Sequence, residues 1–241
     1  MKTTFLPVLI LVLVSLSACE KSSEAEDEFL SANEEAVEKY IKNFQIIDKY
    51  GDNYYYTINY SSGNTVSSIT DEDANTFFNY DDSNNLNSVT SDGEMFDINE
   101  LYQSPYDAFE SGYVLEYDTD GNPTNIEVYE DGYDSDVLTG TIIYDPNPNP
   151  FFYTLKAAGI IDVLDKVDLN FGYTNPSIVQ ARQLLPYNNI TTMIFKDEFG
   201  ITTYEVQFDY TYDEDHYPIS ARVNALSQEE TTSYTLLYTY K

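Results

Sequence analysis

Glu116, Asp118, Asp120, Gly121 and Glu127 fall at positions one, three, five, six and twelve of a calcium-loop template. Oxygen ligands at that spacing around a central glycine can wrap Ca²⁺. Against that chemistry, position one is Glu, Pro123 follows the turn and the flanks read as strands rather than helices. Asp-Gly is also the commonest hairpin signal. The segment is therefore expected to be a hairpin, with no metal site and no cofactor. His216 is the only histidine. No histidine-based metal cluster can form, and a Ser-His-Asp triad would hang on this residue alone. In the acidic run Asp213-Glu214-Asp215-His216-Tyr217-Pro218 it reads as a turn residue. Carboxylate pairs suited to glycoside hydrolysis arise by chance among 42 acidic residues, so none can be singled out. No residue receives a catalytic assignment, and an enzyme is not expected.

Cys19, the single cysteine, follows Leu16-Ser17-Ala18. Lys2 gives a positive start, and Phe5 to Val14 is an uncharged apolar run too short for a permanent bilayer span. The arrangement resembles the bacterial lipobox, in which the cysteine thiol takes a diacylglycerol and the new N-terminus is acylated after cleavage. Residues 1–18 are thus expected to be a signal peptide and Cys19 the lipidation site. The alternatives are a free thiol after an ordinary secretory signal, which leaves a lone reactive group in an exported protein, and a buried structural cysteine, which fits poorly beside a cleavable segment. Acyl chains anchor durably because each buried methylene contributes about 0.8 kcal/mol. Once Cys19 is acylated no thiol remains for a disulfide or a thiolate metal site.

A net charge of −31 repels nucleic acid and anionic headgroups, so neither is an expected partner. Aromatic residues make up 15% of the chain, with 24 Tyr and no Trp. Tyrosine suits pleated, half-buried surfaces, and this content excludes disorder for most of the chain.

The elements that must position these groups are mostly strands. Residues 19–35 are polar and acidic and read as a lipidated tether; the Lys/Ser/acidic cluster after Cys19 resembles surface-export signals of Bacteroidetes lipoproteins. Residues 36–241 read as one β-rich domain. Glu34 to Asp48 has both helical and strand character, and the strand is preferred because a hairpin series starts directly after it. Tyr54, Tyr56, Ile58 and Tyr60 alternate, turn through Ser61 to Asn64, and return as Val66 to Ile69. The unit recurs at Phe78 to Val89, Leu115 to Val128 and Tyr204 to Val223, and Tyr234 to Tyr240 reads as the last strand. Uneven spacing makes this a meander rather than a strict solenoid. Tyr144-Asp145-Pro146-Asn147-Pro148-Asn149-Pro150-Phe151 is expected to break the strands. A helical insertion is expected near residues 154–185, with Asn175-Pro176 opening a second short helix to Leu185. Asn189-Ile190-Thr191 matches a glycosylation sequon, which carries little weight in a bacterial context.

Tyr-Asp-x-x-Gly-Asn hairpins, Asn149-Pro150-Phe151 and Asn188-Asn189 together resemble a family of Bacteroidetes lipoproteins. That family carries a domain of unknown function described as having a porin-like fold. The likeness covers roughly residues 36 to 241 and implies an extended antiparallel sheet or partial barrel; it brings no activity. The fold expected is mainly β, a meander or partial barrel of aromatic hairpins with a short helical excursion. Tyr204 to Tyr212 alternates over the roughly nine residues that a bilayer strand needs. Its outward candidates are tyrosines, which belong at interfaces, so a water-soluble sheet on a lipid anchor is preferred.

The expectation is a non-catalytic binding or presentation module anchored in the outer membrane at the cell surface. Its partners would be membrane lipid through acylated Cys19, and an envelope protein or a glycan. A structural accessory subunit of an envelope complex and a carboxylate-dependent glycoside hydrolase stay open as alternatives. A sugar-binding surface should show an exposed aromatic platform beside a polar cleft, and an accessory subunit an apolar edge or patch.

Overall fold

Alternation of aromatic and polar residues produces strands throughout. The computed structural model describes residues 24–71, 74–109, 112–129, 137–170, 178–227 and 230–241. The leader, Cys19 and the Asn175-Pro176 helix start lie outside them. The strands are β1 (Ile41–Asp48), β2 (Asn53–Tyr60), β3 (Val66–Thr70), β4 (Asn75–Tyr80), β5 (Leu86–Ser91), β6 (Glu94–Asp97), β7 (Gly112–Tyr117), β8 (Pro123–Tyr129), β9 (Val137–Pro148), β10 (Asp168–Asn170), β11 (Ile178–Gln180), β12 (Asn188–Lys196), β13 (Thr202–Tyr212), β14 (Pro218–Ser227) and β15 (Thr231–Tyr240). The helices are α1 (Glu24–Ala32), α2 (Ile98–Phe109), α3 (Phe152–Ala157) and α4 (Ile160–Leu164), with a 3₁₀ turn at Ala181–Leu184.

Thirteen strands form one antiparallel sheet in the order β6-β5-β4-β3-β2-β1-β15-β14-β13-β12-β9-β8-β7, and β10 pairs with β11 separately. The sheet is not closed, yet its two edges are neighbours in the chain: β6 runs through α2 into β7. Laid flat at ~4.8 Å per strand, the edges would stand roughly 58 Å apart. The 12 residues of α2 span about 18 Å, and the link to β7 adds about 10 Å at most. The sheet must therefore curl.

Its inner face carries Phe44, Ile58, Ile69, Phe78, Tyr210, Ala221 and Tyr238, which pack around Phe151, Ala157, Ala158 and Ile160 of the α3–α4 segment. Gly159, at φ 73, lets the α3–α4 corner press onto β5, because a Cβ there would stand 2.8 Å from Leu86 Cβ. The outer face carries Asn59 against Ser68, Asn79 against Ser88, Asp209 against Arg222 and Gln207 against Asn224. A bilayer barrel has apolar residues outside and polar ones within; this sheet packs its apolar face inward and carries these polar pairs outside, with Phe77 and Ile143 exposed among them.

Two devices repeat along the sheet. In the first, residue i opens a turn whose fourth residue is left-handed, at Gly51, Asn64, Asn84, Gly121, Gly200 and His216. The amide of each left-handed residue donates to the carbonyl of residue i, which is Asp48, Ser61, Asp81, Asp118, Asp197 and Asp213 in turn. Each of the five aspartates also accepts from the amides of residues i+2 and i+4, as when Asp118 Oδ1 takes Asp120 N at 3.0 Å and Asn122 N at 2.8 Å. This is the type I turn plus left-handed residue that matches strand twist.

In the second device, a tyrosine late in one strand donates its hydroxyl to a carbonyl near the start of the strand before it. Tyr60 reaches Ile41 O at 2.7 Å, Tyr80 reaches Val66 O at 2.6 Å and Tyr144 reaches Pro123 O at 2.7 Å. Tyr210 reaches Ile190 O at 3.0 Å and Tyr240 reaches Pro218 O at 2.7 Å.

Three expectations need correction. The tether read as reaching residue 35 instead forms α1 from Glu24, and Phe29 on it is fully buried, stacked on Phe152 at 3.9 Å. Acidic Glu24, Glu26 and Asp27 suit a helix N-terminus, which carries partial positive charge. The proline-rich run does not end the strand: β9 continues through Pro148. Its pairing with β12 jumps from Tyr144↔Ile190 to Pro148↔Asn188, and the two prolines sit at that irregularity. Ile178–Gln180 is a strand rather than part of a helix, and only the 3₁₀ turn follows it.

Candidate functional site

At one end of the curled sheet the turns after Asp118 and Asp213 meet α1 and the start of β12. The three motifs that carry the family resemblance converge here. Asn122, 1% exposed, accepts from Tyr187 N at 2.7 Å and Asn188 N at 3.1 Å, and donates to Asn188 Oδ1 at 2.9 Å. Asn188 Nδ2 donates to Asn33 Oδ1 at 3.0 Å, and Asn33 Nδ2 donates to Tyr187 O at 3.1 Å. Asn189 Nδ2 reaches Asn147 O at 3.3 Å, and Asn149 Nδ2 donates to Pro186 O at 2.7 Å. Buried amides require partners, and each of these finds them in its neighbours. Asn149-Pro150-Phe151 turns the chain from β9 into α3 and aims Phe151 edge-on at Phe44. Asn189 of the sequon is buried.

Beside this network lies a cation that composition does not announce. Arg182 is 2% exposed and pairs with Glu28 of α1 through Nη1 and with Asp165 through Nε at 2.5 Å. Tyr187 donates its hydroxyl to Glu28 Oε2 at 2.6 Å. Burial works to raise the Glu28 carboxyl, but the bonds from Arg182 and Tyr187 and the guanidinium charge outweigh it and hold the group below its ordinary value. Asp165 moves the other way, because burial exceeds the pull of Arg182. Burial, followed by the bond to Glu28, raises the Tyr187 phenol, so it stays a donor.

Two clefts flank α1. One, of about 400 Å³, is lined by Glu28, Ser31, Ala32, Tyr117, Thr119, Asp120, Gly121, Gln183 and Tyr187. The other, of about 300 Å³, lies between Ala32 to Ala36, Pro146 to Pro148, Asp215 and His216. Gly121 permits the close wall of the first: its φ is 88, and a Cβ would meet Tyr187 Cε2 at 3.3 Å.

The calcium-template residues do not gather around a point. Asp118 caps its own turn, Glu116 accepts from Asn125 Nδ2 at 2.5 Å across the hairpin, and Glu127 lies further along β8, beyond Asn125. At ~3.4 Å per residue, Glu127 stands roughly 17 Å from the turn. Among the described residues no group of three or more His, Cys, Asp or Glu side chains is placed to hold a metal ion. His216 occupies the left-handed position of the β13–β14 turn, φ 65, where the other turns use Gly or Asn. Sequence reasoning missed Arg182, Glu28 and Asn33. A buried arginine has no local signature, and Glu28 and Asn33 sat in a segment read as tether.

No helix among the described residues is long and apolar enough to cross a membrane. No protein-family model and no curated protein matches the chain. Among solved structures it is similar to a porin-like protein from Bacteroides uniformis ATCC 8492, with a TM-score of 0.35 and 12% identity over 83% of this chain and 96% of that one. It is also similar to a porin-like protein from Bacteroides vulgatus ATCC 8482, with a TM-score of 0.38 and 10% identity over 85% and 99% of the two chains.

Proposed function

We propose that this chain is a lipid-anchored lipoprotein of the bacterial outer membrane, exposed at the cell surface, whose β domain binds or presents a partner without catalysis. The observation that carries the reading is the sidedness of the sheet. Polar pairs lie along its convex face, between exposed Phe77 and Ile143, and helices fill its apolar interior, so a hydrocarbon environment would strand those polar pairs. Membrane attachment then falls to Cys19. The turn aspartates are committed to their own backbones, and Glu28 is held ionised, the wrong state for a general acid. Cys19→Ser tests the anchor. Intact mass of the native chain should show diacylglycerol plus a fatty acid on Cys19, and the variant should leave the membrane fraction and remain soluble without detergent. A variant that stays in the membrane in undiminished amount removes this reading.

One observation favours an accessory-subunit role. The end of the sheet opposite α1 exposes Tyr50, Phe199, Ile201 and Leu226, with Tyr50 at 79% and Phe199 at 78%. Scattered exposed hydrophobics are normal, but a rim of them at one end is a docking surface in waiting. Pull-down of wild type and of Tyr50→Ser/Phe199→Ser from solubilised envelopes separates the roles: a stoichiometric protein lost only with the variant makes the rim a subunit interface.

A further inference from the structure

We infer that the cleft between α1 and the β7–β8 turn is a binding site for a neutral, polyhydroxylated ligand, that is, a saccharide. This rests on the binding-module reading and names the class of ligand.

One tyrosine departs from the latch repeat. Five strand-end tyrosines latch onto the strand that precedes them in the chain and lies beside them in the sheet. Tyr117 ends β7 in the same way, but the strand that precedes β7 is β6, at the opposite edge of the sheet. Its hydroxyl has no partner among the described residues, and the residue is 37% exposed and lines the cleft. Burial raises its phenol to about 12, so it is neutral and able to donate.

Around that ring, the side chains of Ser31, Thr119, Asp120 and Gln183 also have no partner among the described residues. In the adjacent interior the opposite holds: Asn33, Asn122, Asn188 and Arg182 are all committed to one another or to their neighbours. Solvent-facing groups that can trade water for a ligand's hydroxyls thus stand beside one aromatic face.

The chemistry of the cleft selects among ligands. The phenol ring offers a flat apolar surface, Gln183 both donates and accepts, Ser31 and Thr119 do either, and Asp120 accepts. A pyranose matches this set, with C–H groups on its faces and hydroxyls around its edge that each donate and accept. Anions are disfavoured, because the nearby cation, Arg182, is buried and neutralised by Glu28 and Asp165 in a chain of net charge −31. A wholly apolar ligand would leave these polar groups unpaired and out of water. The volume of about 400 Å³ lies within the usual range for small-molecule sites.

The test is calorimetric titration of the full acylated chain, held in lauryldimethylamine oxide because that detergent carries no sugar. The probes are maltotriose, cellotriose, xylotriose, mannotriose and chitotriose, with trigalacturonate as the anionic control. At least one neutral trisaccharide should bind with a dissociation constant below about 1 mM. Tyr117→Ala and Gln183→Ala should each weaken it about tenfold, while Tyr54→Ala, an exposed tyrosine on β2 away from the cleft, should leave it unchanged; circular dichroism checks that each variant is folded. Absence of binding by every neutral probe, preference for trigalacturonate, or affinity untouched by both cleft substitutions overturns the inference. Cys19→Ser should bind as well as wild type. If Cys19 proves unacylated while the cleft still binds, the anchor fails and the site stands. If the protein is acylated and binds no neutral probe, the anchor stands and the site fails.

Discussion

Deleting the Tyr144 hydroxyl would leave the Pro123 carbonyl, at a buried strand start, without its donor. Tyr144→Phe should therefore cost about 1–2 kcal/mol in equilibrium urea unfolding. Tyr117→Phe removes a hydroxyl that latches nothing and should fall within about 0.5 kcal/mol of wild type. Equal losses in the two variants would show that the latches carry no stability. Asn122 is the more demanding position, since its side chain accepts from two backbone amides and donates to Asn188. Asn122→Ala strands those amides in the interior and should cost about 2–4 kcal/mol, the largest loss of any single turn residue. At this scale the sequence is easy to misread. The carboxylates of Asp118 and Asp213 suggest ligands or acids, yet their hydrogen bonds close turns.

At the scale of elements, α1 is held by Phe29 stacked on Phe152, by Glu26 paired with Lys156 at 2.5 Å, and by Glu28 on Arg182. Phe29→Ala opens a cavity at a fully buried ring and should cost about 3–4 kcal/mol. Loss of protection of α1 amides in hydrogen exchange should precede global unfolding in that variant; protection identical to wild type would mean that α1 is held by its ion pairs alone. The Glu28 contact makes docking sensitive to acid. Its folded pKa lies below the ordinary glutamate value of 4.5, so its stabilisation is fully present above that value and is lost as pH falls through the folded one. The Glu28 side chain is 44% exposed, which reduces the interaction by solvent screening. Glu28→Gln should accordingly cost about 1–2 kcal/mol at pH 7, allowing for the loss of one of the two carboxylates paired with Arg182. The gap between variant and wild type should shrink as the pH drops below 4.5; a constant gap would show that Glu28 acts through packing rather than charge.

At the scale of the whole molecule, the distance from Cys19 to Glu24 decides orientation. Five residue steps reach at most about 18 Å, so an acylated Cys19 keeps the α1 end of the sheet close to the bilayer and turns the end bearing Tyr50 and Phe199 away. With the protein on vesicles, a donor dye at position 120 should transfer energy to a lipid acceptor more efficiently than one at position 199. Equal transfer, or the reverse order, would mean that α1 undocks when the chain is anchored. The chain carries a net charge of −31, so repulsion from anionic lipid works against close approach and should weaken with added salt.

The period-2 alternation from Tyr54 to Tyr60 and from Tyr204 to Tyr212, and the Asp-x-x-Gly turns, were legible because strand periodicity and turn chemistry are local properties of a few consecutive residues. One local signal was present and overlooked: Asp97 and Glu100 form a capping box, with Asp97 N donating to Glu100 Oε2 at 2.7 Å and Glu100 N to Asp97 Oδ1 at 3.2 Å. No local pattern shows that β6 and β7 are opposite edges of one curled sheet, because that depends on the pairing of all the strands between them. Nor does any local pattern assign the acidic stretch at Glu24 to a helix in the core: Phe29 gains its burial from Phe152, Tyr153 and Tyr187, more than a hundred residues away in the chain. Tyr117 makes the same point at the cleft. Its sequence setting matches that of Tyr80, and only the strand order leaves it without a carbonyl to hold.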